Sequence, residues 1–121
     1  MVTATGHTQA IPASRVIGTD VYNTEGEHIG SIEDVMLDKS SNNVMFAVIG
    51  FGGFLGIGEK YHTIPWSSLD YDPGHGGYVV PFSRAQLEAA PVYDINDLTK
   101  DDGHKARDTS YDYYKVPRYW I

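Results

Sequence analysis

From Val16 onward, short apolar or β-branched runs alternate with turn-forming residues at spacings of roughly 8 to 12, the rhythm of a small all-β barrel or sandwich. Asp20 to Tyr22 leads into Asn23, Thr24, Glu25 and Gly26. That polar cluster ends in the residue that takes positive φ most easily, so the chain turns there and returns as a hairpin through His28 to Leu37. In the returning run Ile29, Ile32, Val35 and Leu37 break strict alternation, and spacings of three also describe one face of a helix. The β-branched residues and the interior Gly30 favour a strand with a bulge near that glycine. Asp38 to Asn43 is a turn by composition, because its side chains bond to nearby backbone. Val44 to Ile49 is apolar at every position, which suits a central strand buried on both faces.

Tyr61 to Ile64 reads as a further strand ended by Pro65, with Trp66 to Leu69 as a single turn and Asp72 to Gly77 as a loop. Tyr78 to Phe82 supplies the last strand. Ser83 stands three residues before Gln86, the spacing of a capping box, and opens one short helix from Arg84 to Ala90, stopped by Pro91. At the other end, residues 1–13 are mostly small and polar and read as a flexible arm. Past Pro91 the composition shifts. Asp94 to Asp108 is rich in Asp, Lys, Asn and Thr and reads as an acidic, solvated linker. Tyr111, Tyr113, Tyr114, Tyr119 and Trp120 then crowd the final stretch, where a disordered tail would be poor in aromatics. The expectation is an extended aromatic tail whose tip docks while the linker stays loose. Its own barrel, a second copy or another protein could each receive it.

A chain of 121 residues has room for one compact core, here placed at residues 14–91, with residues 92–121 as a C-terminal extension. The absence of cysteine excludes disulfides, thiol catalysis and cysteine-bound metal and is compatible with a reducing compartment. With 9 basic and 16 acidic side chains the net charge is −7, which repels a phosphate backbone, so nucleic acid is a poor partner. No stretch approaches the run of about 18 apolar residues that a membrane helix needs, and the first residues lack the basic start and apolar centre of a secretory signal. A soluble, cytoplasmic protein is expected.

Val16, Ile17 and Gly18, followed by Asp20, Val21, Gly26, Glu27, Ile29, Gly30, Ile32, Asp34 and Val35, resemble the opening of the PRC-barrel domain. The likeness continues through Val44 to Ile49, the Gly-rich loop Gly52 to Gly58, and Ile64, Pro65, Trp66 and Leu69. That family includes the cytoplasmic domain of the photosynthetic reaction-centre H subunit and the C-terminal domain of the ribosome-maturation factor. The chain looks most like the stand-alone bacterial members. The resemblance implies a small, highly bent β-barrel that acts as a docking or assembly module, with no shared catalytic residues to carry over.

The residues themselves offer little chemistry. Gly53 to Lys60 comes close to a phosphate-binding loop, but its lysine falls one place late, Tyr61 stands where Ser or Thr is needed, and a strand follows instead of a helix. The five histidines share no metal-ligand spacing. His62, near Tyr61 and Trp66, is the one position from which a barrel-end metal or small-molecule pocket could be built, in a chain linked to electron transfer or stress physiology. No nucleophile-elbow motif is present, and no enzyme activity, cofactor or metal is expected. Two interaction candidates remain: the apolar side chains of the Gly-rich loop, Phe51, Phe54, Leu55 and Ile57, and the aromatic tail. The sequence therefore reads as a non-enzymatic protein-binding or assembly module that forms a homo-oligomer, with a dimer favoured.

Overall fold

The computed structural model describes residues 10–50 and 61–120. The chain opens with a one-turn helix, α1 (Ala13–Val16), followed by β1 (Asp20–Tyr22), β2 (His28–Asp38), β3 (Asn43–Gly50) and β4 (Tyr61–Pro65). A 3-10 turn (Trp66–Ser68) leads to β5 (Asp70–Asp72) and β6 (Gly77–Val79). Three helices close the order: α2 (Arg84–Ala89), α3 (Ile95–Thr99) and α4 (His104–Tyr113). The protein is thus mainly β, and its strands form one six-stranded mixed sheet in the order β4-β3-β2-β1-β6-β5.

The expected turns form for the expected reasons. Asn23 Oδ1 accepts from the backbone N–H groups of Glu25 and Glu27, and Gly26 takes φ +78. Between β2 and β3, Asp38 Oδ1 accepts from Ser40 N–H at 3.0 Å and Asn42 takes φ 59. The lost alternation of β2 is that of a bulged strand: register slips opposite residues 28–30, between Ile32 and Asp34, and between Met36 and Leu37. Ser83 and Gln86 make the capping box of α2.

No ladder joins β4 to β5 among the described residues, so the sheet is open. It is nevertheless strongly curved. Only Trp66 to Leu69 separate the end of β4 from the start of β5, a reach of at most about 18 Å, whereas the two edges of a flat six-stranded sheet lie about 24 Å apart. The concave side holds the main core, which includes Val21, Ile32, Ala47, Ile49, Ile64 and Val80.

Three corrections concern the ends of the chain. Val16 belongs to α1, and the first strand begins at Asp20. The last strand is the shorter Gly77–Val79. Beyond Pro91 the chain is neither a loose linker nor an extended tail, because α3 and α4 follow α2. Asp94 Oδ1 accepts from Asp97 N–H at 2.8 Å and Asp101 Oδ2 from Lys105 N–H at 2.9 Å, so aspartates read as solvated charges start the helices. These helices bury Leu98 and Ala106 against Met45, Phe46 and Val48. They cover the convex side of β3, which is why that strand is apolar at every position.

Candidate interaction surface

The aromatic residues of the C-terminus pack on their own chain. In α4 the Ser110 hydroxyl donates to the Thr63 carbonyl at 2.7 Å and the Tyr111 hydroxyl to the Met45 carbonyl at 2.7 Å, fixing the helix across β4 and β3. Tyr114 stacks on Phe82 with ring centroids 4.1 Å apart, and the Tyr113 hydroxyl donates to the Gln86 carbonyl at 2.6 Å. Lys115, with φ 56, then turns the chain back. The Tyr119 hydroxyl reaches Asp38 Oδ2 at 2.7 Å and holds that carboxyl below the usual carboxylate range. Trp120 lies under the Arg107 guanidinium, 3.8 Å from its ring centroid, and meets the Tyr111 ring edge-on.

Of the residues singled out from sequence, Tyr111 and Tyr114 are therefore buried, and Tyr113, Tyr119 and Trp120 are half-buried. Burial pushes the Tyr111 phenol up to about 12 and raises that of Tyr114 further. Phe51, Phe54, Leu55 and Ile57 lie outside the described residues.

His62 shares the concave face of β4 with Ile64, and both are 0% exposed. Tyr61 packs in the convex cluster and Trp66 against the concave one, so the three residues suggested for a barrel-end pocket do not line a common space. Among the described residues, no group of three His, Cys, Asp or Glu side chains is arranged to hold a metal ion. Burial pushes the His62 imidazole down from 6.5 to about 4, so it is neutral at pH 7. In the unfolded chain the same ring takes up a proton near 6.5. Stability is thus unaffected by this ring above about pH 7 and falls as pH drops from 6.5 to 4, by about 3 kcal/mol in all. Urea unfolding at pH 7.5 and pH 4.5 should show this loss in the parent and a much smaller one in His62→Leu. An equal loss in both would place the acid sensitivity elsewhere.

The sheet's other half carries a second surface. Helices α3 and α4 sit over β3 and β4, while Asp20, His28, Glu33 and Asp34 on the β1–β2 hairpin stay exposed. Tyr22 sits between two histidines, its ring centroid 5.5 Å from that of His28 and 4.9 Å from that of His75. Each histidine bonds a carboxylate: His28 Nε2 to Asp20 at 2.9 Å and His75 Nδ1 to Asp72 at 2.8 Å. From Asp20 to Asp38 there are six acidic side chains and no Lys or Arg. Ten acidic residues face four basic ones up to Tyr93, and six face five beyond it, so nearly all of the net charge belongs to the sheet. Counting charges by segment would have located this face.

A cleft of about 390 Å³ lies over β5 and β6, lined by residues that include Thr24, Ser67, Ser68, Asp70, Asp72 and Val79. No described helix is long and apolar enough to cross a membrane. No curated protein matches the sequence. The family model of the PRC-barrel domain matches residues 9–87, the span that runs from just before α1 through all six strands into α2. With more than half of its length matched in this way, the chain belongs to the PRC-barrel family.

Proposed function

We propose that this chain is a non-enzymatic protein-binding or assembly module that self-associates as a dimer and works in the cytoplasm. The observation that carries this reading is the uneven covering of the sheet. One half is shielded by the chain's own helices, while Asp20, His28, Glu33 and Asp34 on the other half are exposed. The buried polar groups support it too. Of the five, Asn23 shapes a turn, Ser110 fixes α4 and Asp38 anchors the end of the chain, so these three serve architecture.

Sedimentation velocity on the full chain at tens of micromolar is expected to give the mass of a dimer. Affinity capture from the native lysate, with an unrelated acidic domain as control bait, is expected to retain a partner that the control does not. A monomer at every concentration together with identical capture lists would overturn the reading.

A further inference from the structure

A second cleft, of about 350 Å³, lies between α3, α4 and the segment that precedes them. Its walls are fixed by the fold. Tyr93 exchanges both backbone hydrogen bonds with Tyr61 of β4, at 2.8 and 2.9 Å, and Ala106 is buried. Asp101 Oδ2 is taken by the Lys105 N–H at the start of α4. Asp97, Lys100 and Lys105 also line the cleft, and their charged groups make no ion pair or hydrogen bond among the described residues. Burial raises the Tyr93 phenol above its ordinary value, the Thr109 side chain lowers it, and the charge of Asp97 raises it again, which puts that carboxylate within electrostatic reach of the ring's hydroxyl.

We propose that this cleft binds a small zwitterion of the α-amino acid class with an apolar chain, its carboxylate held by Lys100 and Lys105, its ammonium group by Asp97, and its chain against Val92, Tyr93 and Ala106. The inference goes beyond the protein-binding reading and does not depend on it. Asp97 and Lys100 stand three apart and Asp101 and Lys105 four apart, spacings and order at which opposite charges on a helical surface ordinarily pair. Neither spacing gives an ion pair among the described residues. Groups of both signs thus face one cleft without neutralising each other, and a ligand that carries both signs complements them together. Charge selects the occupant. A simple anion would meet the carboxylates of Asp97 and Asp101, and a simple cation would meet the two lysines. The volume of about 350 Å³ lies within the range of ligand pockets, about 300 to 1,000 Å³. Because Asp97, Lys100 and Lys105 are exposed, binding is weak and salt-sensitive.

The test is a titration of the ¹⁵N-labelled full chain with L-norleucine, beside hexanoate, which lacks the ammonium group, and pentylamine, which lacks the carboxylate. Norleucine is expected to shift the amides of residues 92–93, 97, 100–101 and 105–106 with millimolar affinity. Each of the other two should bind about fivefold more weakly, the worth of one exposed ion pair. The double variant Lys100→Met, Lys105→Met and the single variant Asp97→Asn should each weaken norleucine binding by about the same factor, with urea midpoints close to the parent's. Lys39→Met, in the β2–β3 turn, should leave it unchanged. The three ligands on the parent chain decide the matter even where a variant loses its fold. No shift at about 20 mM norleucine, well above a millimolar Kd, equal binding of hexanoate or pentylamine, or unchanged affinity in the folded variants would overturn the proposal.

Discussion

A chain ending at Thr109 is expected to lose its cooperative unfolding transition at pH 7.5, where the parent melts as one unit. The truncation removes Ser110, Tyr111 and Tyr114, all buried, and with them the hydrogen bonds to the carbonyls of Thr63 and Met45. Losing a buried aromatic side chain costs about 3 to 5 kcal/mol, so two of them approach the whole stability of a typical domain, about 5 to 15 kcal/mol. Freed chain entropy offsets part of this. It cannot restore the cover over β3 and β4, because the remaining fragment of α4, His104 to Thr109, is too short to hold as an isolated helix. A chain ending at Pro117 supplies the contrast. It keeps all of α4 and loses only Arg118 to Ile121, including the half-buried Tyr119 and Trp120, so it should still melt cooperatively, at a lower temperature. Calorimetry of the three chains decides the matter. Equal melting temperatures for the parent and the Thr109 form would mean that the helical layer is an appendage.

That result bears on what could be seen in the sequence. Six apolar residues in a row at Val44 to Ile49 announced a strand buried on both faces, and every residue from Met45 to Ile49 is buried. A strand of that kind needs a layer on each side of its sheet, and the segment after Pro91 provides the second one. Its helices leave a weak trace in the sequence because they bury so little each: Leu98 in α3, and Ala106, Ser110 and Tyr111 in α4. An apolar stripe that thin, broken by aspartates, is indistinguishable by periodicity from a solvated run. The Asp94 and Asp97 pair, three apart, was the available start signal. Gly103 was another, adopting φ +76 at the N-cap of α4 in close approach to Met45 and Met36.

Local chemistry was more legible than its destination. The turn at Asn23 to Gly26 and the Ser83 to Gln86 capping box depend on neighbouring residues alone, so their side-chain types were sufficient. The aromatic cluster near the C-terminus signals burial, yet nothing local says which surface receives a ring. The acceptors of Tyr111, Tyr113 and Tyr119 lie 66, 27 and 81 residues away in sequence. The β5 cleft was less accessible still. Only the assembled sheet brings Thr24, Ser67 and Asp72 to one cleft.

Gly77→Ala is expected to destabilise the protein by about 3 kcal/mol, although the residue has no side chain to lose. Gly77 opens β6 at the point where it meets β1 in the sheet's parallel pairing, Val21 with Tyr78 and Tyr22 with Val79. A Cβ at that position would fall inside the van der Waals shell of the Asp20 carbonyl oxygen, 3.1 Å from its carbonyl carbon and 3.0 Å from Tyr22 Cε2. Neither neighbour can give way cheaply, because one is strand backbone and the other is a ring in contact with His28 and His75. Relief requires β1 and β6 to part, straining the bond from Val80 N–H to the Tyr22 carbonyl at 3.0 Å. In the strand order that junction alone joins β4-β3-β2-β1 to β6-β5. Gly76→Ala is the control: its φ is +71 and no atom lies within 4 Å of an added Cβ, so it carries only the left-handed penalty of about 1 kcal/mol. Urea midpoints for the two variants separate close approach from backbone strain, and equal losses would mean that the β1–β6 junction tolerates a side chain.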